Sequence, residues 1–140
     1  MFDLVPSPFL DNGGCAPVIK AGVPRRSHRK RGKGTITPPG VIYVGRPTVY
    51  SNPFDSRRFG HARSVALYRC WTDNRLGALA LGRLGFCPVE IEALGRLRQR
   101  LHSALPRLIG MDLQCWCPLT SRWCHADVLL ELANRESFTA

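Results

Sequence analysis

Apolar residues along this chain come in short runs separated by proline, glycine and clustered charge. Val41-Ile42-Tyr43-Val44 is β-branched and aromatic, entered from Pro39-Gly40 and closed by Gly45, the pattern of a short buried strand. Residues 46–55 hold Pro47 and Pro53 among several turn formers, which predicts an ordered loop lying over the domain. From His61 onward, Ala62, Val65, Tyr68 and Trp71 recur every three residues. That one-sided stripe predicts a helix ending near Thr72–Asn74, with Arg58, Arg63 and Arg69 on or near its outer faces. Residues 76–87 are apolar but broken by Gly77, Gly82 and Gly85, so a short helix passing into a loop is expected. Pro88 suits a first helical position. Leu94, Leu97, Leu101 and Leu105 then line one face of a longer helix, which Pro106 and Gly110 terminate or bend. Period-two alternation over residues 112–117 places Leu113, Cys115 and Cys117 on one face of a second strand. A helix from Ala126 to Asn134 closes the series, with Asp127 in the first turn, where the helix dipole favours an acid. The order of strand, long loop, helices, strand, loop and helix predicts a small compact α/β domain whose short sheet is parallel, flanked by helices, with its strand C-termini on one side.

Composition narrows this picture. At 140 residues with 44% hydrophobic content the chain can build one modest core and not two. No run reaches the roughly 18 apolar residues that a bilayer span needs, and Asp3, Pro6 and Pro8 interrupt what would be a secretory leader. No membrane partner is expected. Six cysteines, three of them crowded between positions 115 and 124, point to a local site in a reducing, cytoplasmic setting rather than to a disulfide scaffold. The formal charge of +10 favours an anionic partner, nucleic acid first. Arg25, Arg26, Arg29, Lys30, Arg31 and Lys33 fall within nine positions, bracketed by prolines and glycines and without apolar periodicity. Residues 1–39 are therefore expected to be a flexible basic arm of the kind that sits on phosphate backbones, the domain to occupy residues 40–135, and residues 136–140 to form a tail.

The residues that carry chemistry lie at the two strand ends. They are Tyr43-Val44-Gly45-Arg46-Pro47 with Asn52-Pro53-Phe54, and Cys115-Trp116-Cys117-Pro118 with Cys124-His125-Ala126-Asp127-Val128-Leu129. Together with Tyr68, this combination resembles a family of bacterial and phage proteins known as a domain of unknown function, DUF4326. The resemblance spans residues 41 to 134. It implies the fold and a site, but brings no established activity. The chain departs from the family pattern at Ala126, where the family usually has glycine, and in the length of the loop from Leu119 to Trp123.

Three chemistries compete for these residues. Cys115, Cys117, Cys124 and His125 offer the ligand number and softness that zinc prefers, which would make a zinc-stapled structural or interaction domain. The adjacency of Cys124 and His125 is unusual for such a site, and the plainer reading makes Cys115 a small buried residue and bonds His125 to a backbone carbonyl. Alternatively, Cys117 with His125 and Asp127 would form the catalytic group of an enzyme acting on a nucleotide-derived substrate, a thiol near a helix N-terminus and an imidazole being prone to ionise. In the third and leading reading, the domain binds the phosphate of a nucleotide or nucleic acid. Gly45 would allow close approach, Arg46 and Arg122 would supply guanidinium forks, and the helix start at His125–Asp127 would supply N–H groups. Asn52 would read a base or sugar edge, and Tyr50 or Trp116 would stack on a ring. Against these stand plain structural roles: Arg46 paired with Asp127, Asn52 holding its own turn, Trp116 in the core, and Tyr68 and Trp71 packed inside. The phosphate-loop, Gly-x-Gly-x-x-Gly and His-Glu-x-x-His patterns are absent. The leading reading requires the Gly-Arg-Pro corner and the Cys-His corner to meet at one rim of the sheet.

Overall fold

The computed structural model describes residues 23–30, 34 and 36–139. Three short strands, β1 (Arg26–His28), β2 (Val41–Tyr43) and β3 (Asp112–Cys115), form a parallel sheet in the order β1-β3-β2. The register sets Ile42 and Arg26 on either side of Leu113, and Tyr43 and Ser27 on either side of Gln114. The central strand is thus covered on both edges, and Leu113, Gln114 and Cys115 are all buried. The buried Gln114 amide oxygen is not left unpaired: Arg29 and the Thr37 hydroxyl donate to it at 3.1 and 2.9 Å.

Between β2 and β3 run α1 (Ser56–Phe59), α2 (His61–Thr72), α3 (Ala78–Arg83) and α4 (Pro88–Ala104), followed by a 3-10 turn at Leu105–Leu108; α5 (His125–Thr139) closes the chain. Several of these start where the sequence supplies a start signal. Asp55 accepts from the Arg57 N–H at 2.9 Å and caps α1. Pro88 opens α4, where Glu90 reaches back to the Cys87 N–H at 2.8 Å. Gly60, at φ +85°, turns the chain sharply from α1 into α2, a conformation that a side chain would strain. The core between sheet and helices is aromatic on one side, with Phe54 edge-on to Trp71 and Phe86 at 5.9 Å, and aliphatic on the other, around Leu101, Leu108, Leu113 and Leu129. No helix among the described residues is long and apolar enough to cross a membrane.

The α/β class and the parallel neighbours β2 and β3 are as the hydrophobic pattern predicts. Two boundaries differ. The folded body begins before residue 40, because Arg26–His28 pairs with β3 and the Arg29 N–H donates to the Cys115 carbonyl at 2.7 Å. Arg25, Arg26 and Arg29 therefore belong to the folded body and not to an arm, and Lys30 follows directly as an exposed residue; Arg31 and Lys33 lie outside the described residues. At the other end α5 continues to Thr139, so residues 136–139 extend the helix rather than form a tail. Nothing in Glu136-Ser137-Phe138 breaks a helix. The second strand also stops at Cys115, which leaves Trp116 and Cys117 in the following turn.

Candidate functional site

A cleft of about 450 Å³ opens at the C-terminal ends of β2 and β3. This lies within the roughly 300–1,000 Å³ typical of small-molecule sites, at the sheet edge where open α/β folds place their ligands. One wall is the turn after β2, with Gly45 and Arg46. The other is the turn after β3, with Cys115, Trp116 and Cys117, together with His125 at the start of α5. Although 81 positions apart, the two corners are joined directly: His125 Nε2 donates to the Val44 carbonyl at 2.8 Å. The ring of His125 stands edge-on to Tyr68 at 5.6 Å, which fixes its orientation.

Several candidates are held by the protein itself. Asn52 lines the cleft, but its oxygen accepts from the Phe54 N–H and its NH₂ donates to Ser64 Oγ at 2.9 Å, so the amide builds the loop before α1. Ser64 passes the bond on to the Phe54 carbonyl. Tyr50 is buried, its hydroxyl donating to the Ala104 carbonyl at 3.1 Å. Gly45 is required by a neighbour, since a Cβ there would stand 2.5 Å from the Tyr43 hydroxyl. That hydroxyl donates to the Arg46 carbonyl at 2.7 Å across a cis Arg46–Pro47 bond and accepts from Trp116 Nε1 at 2.8 Å. Trp116 is not core: it is 45% exposed at the rim, edge-on to Tyr43 and 5.6 Å from the Arg29 guanidinium. Arg46 is exposed at the rim, and its guanidinium has no ion pair or hydrogen bond among the described residues.

Asp127 pairs with Arg26, not with Arg46, at 3.0 Å. The same guanidinium donates to the Leu119 and Ser121 carbonyls at 3.0 and 2.8 Å, so Arg26 ties β1 to the β3–α5 loop and to α5 at once. Burial holds the Asp127 carboxyl above its ordinary pKa against the pull of Arg26. Its carboxylate pairs with Arg26 and is not among the groups lining the cleft, and among the described residues no hydrogen bond joins it to Cys117 or His125. Arg122 also stays outside the cleft, exposed beside Trp123 with 5.8 Å from guanidinium to ring centroid.

The three sulfurs of Cys115, Cys117 and Cys124 do converge, all within 4.8 Å of one another, with Cys115 and Cys124 at 3.0 Å. His125 is not part of this group, its Nε2 being committed to Val44. Within the trio the Cys115 and Cys124 thiols donate toward Cys117 and hold it well below the ordinary thiol pKa, helped by the nearby charge of Arg26, while the same bonds and burial push Cys115 up. Cys115 and Cys117 line the cleft, while Cys124 is buried and is not among its lining residues. The pattern of residues did not single out His61, the first residue of α2, which lines the cleft with Nε2 4.0 Å from Cys117 Sγ. Its position at a helix start behind a glycine is a signal, but only the fold brings it across from residue 117.

No curated protein and no solved structure shows significant similarity to this chain. The model of one family, described as a domain of unknown function, DUF4326, matches residues 27–135, a span that takes in β1's last two residues, every other element up to α5, and all of the cleft. The chain belongs to the DUF4326 family.

Proposed function

We propose that the cleft binds a nucleotide, with its phosphate against Arg46 and its base against Trp116. The observation that carries this reading is the exposed guanidinium of Arg46, unpartnered among the described residues, at the rim of a cleft into which two helices begin. His61 and His125, the first residues of the 12-residue α2 and the 15-residue α5, both line it, so the positive ends of both helix dipoles favour an anion there. Trp116 adds a half-exposed aromatic face beside the same turn. The net charge of +10 raises the local concentration of any phosphate ester, and a reducing cytoplasmic setting keeps the cysteines beside the cleft reduced. Asn52, Arg122 and Asp127 have no part in this reading, because their side chains are engaged elsewhere.

Calorimetric titration of the full chain with nucleoside monophosphates and with inorganic phosphate tests it. Arg46→Ala should weaken both by about 10- to 100-fold, the worth of a charge-assisted hydrogen bond. Trp116→Ala should weaken the nucleotides and leave inorganic phosphate unchanged. Absence of binding at millimolar nucleotide, or an Arg46→Ala variant that binds as the wild type does, would overturn the proposal.

A further inference from the structure

We propose that Cys115, Cys117 and Cys124 hold a zinc ion, whose fourth ligand comes from the cleft side, where His61 stands. Sulfurs bound to one tetrahedral zinc at about 2.3 Å lie about 3.8 Å from one another. The trio brackets that separation, from 3.0 Å between Cys115 and Cys124 to an upper bound of 4.8 Å, so every sulfur pair lies within about 1 Å of the spacing that one ion requires. Their backbones are already fixed. Cys115 ends the central strand, and the His28 ring bonds the carbonyl of Cys117 at 3.0 Å. Cys124 immediately precedes α5, and its carbonyl accepts from the Asp127 N–H at 3.1 Å. A site assembled from a strand end, a pinned turn and a helix start loses little entropy on binding metal.

The surroundings suit the charge. Three thiolates and one divalent ion leave one net negative charge, and the guanidinium of Arg26, itself interacting with the Cys124 sulfur, lies beside it as the outer partner. His61 replaces His125 as the nitrogen ligand: neither ring belongs to the sulfur group, but the Nε2 of His61 is 4.0 Å from Cys117 Sγ, whereas that of His125 is spent on Val44. Three soft sulfurs and one imidazole select zinc over magnesium or calcium. The other described cysteines, Cys70 and Cys87, lie outside the trio and serve as controls. This inference does not rest on nucleotide binding: a chain that holds metal but no nucleotide, or the reverse, separates the two.

The full chain, produced in zinc-supplemented medium and purified with reductant and without chelator, should contain one zinc per chain by elemental analysis. Replacing zinc by cobalt(II) should give thiolate-to-cobalt charge transfer in the near ultraviolet with the intensity of three sulfurs, a reading that needs no variant to fold. Cys117→Ser should weaken cobalt binding by more than the roughly 10–100-fold cost of losing an outer partner. Cys70→Ser and Cys87→Ser should leave it unchanged. His61→Ala should keep the charge transfer and alter the visible d–d bands, as a nitrogen ligand is exchanged for water. Reduced wild-type chain that carries no metal and shows no charge transfer, or a Cys117→Ser variant with undiminished affinity, would overturn the site; unaltered d–d bands in His61→Ala would overturn the role of His61.

Discussion

Tyr68 carries its hydroxyl into the core, where it donates to the Tyr50 carbonyl at 2.7 Å, and burial raises its pKa far above that of a free phenol. Tyr50 is shifted in the same direction, also by burial. The folded state therefore keeps both phenols neutral while the unfolded chain ionises them near pH 10. Stability from this source is complete below about pH 10 and is lost as the pH rises past it, because the unfolded state then sheds protons that the folded state retains. Urea unfolding between about pH 8 and pH 11 should show a falling free energy. Tyr68→Phe should cost about 1 kcal/mol near neutrality and flatten that fall. The apolar stripe of α2 is enough to read Tyr68 and Trp71 as core. It does not reveal which polar atoms they meet. The same holds for Asn52 and Gly45, whose residue types suit a ligand and a loop equally well until Ser64 and Tyr43 are seen in place.

At the scale of elements, β1 is the one that the pattern conceals. Arg-Ser-His lacks the β-branched and aromatic residues of a strand, and its pairing with β3 becomes visible only when its partners are 87 positions further on. Arg26 shows why a polar strand is tolerated there, since its guanidinium satisfies two loop carbonyls and Asp127 in one place. Arg26→Met should lower the unfolding free energy by about 2–3 kcal/mol, the sum of those bonds discounted for the half-exposed partner, and should speed proteolytic cleavage in the loop from Pro118 to Trp123. Asp127→Asn should cost at most about 1 kcal/mol, because the loop carbonyls keep their donor. Equal losses in the two variants would mean that the ion pair, not the loop anchorage, is what Arg26 supplies. The helices are far more legible. Pro88, the glycines around α3 and the leucine spacing of α4 mark ends and faces locally, so α2 to α5 lie within a few residues of their expected positions.

Over the whole molecule the charge of +10 is a property that needs no fold, and its consequence for polyanions is expected to be graded by salt. Affinity of the full chain for single-stranded DNA should fall linearly on a log–log plot against salt. Replacing Lys30, Arg31 and Lys33 by serine should reduce the slope by about 0.7 for each phosphate that is no longer neutralised, and should not alter the nucleotide binding proposed for Arg46. A slope that does not change would remove those residues from the interface. The same division between local and distant information runs through the protein. Hydrophobic periodicity, proline and glycine placement and net charge act between near neighbours or over the chain as a sum, and by themselves they determined the α/β class, the parallel pair β2 and β3 and most of the helices. The membership of the site was decided by tertiary structure. His125 turned to Val44, Asp127 to Arg26, and His61 toward Cys117, because each side chain is satisfied by whichever partner the packed backbone brings within hydrogen-bonding distance, and those partners lie 56 to 101 positions away along the chain.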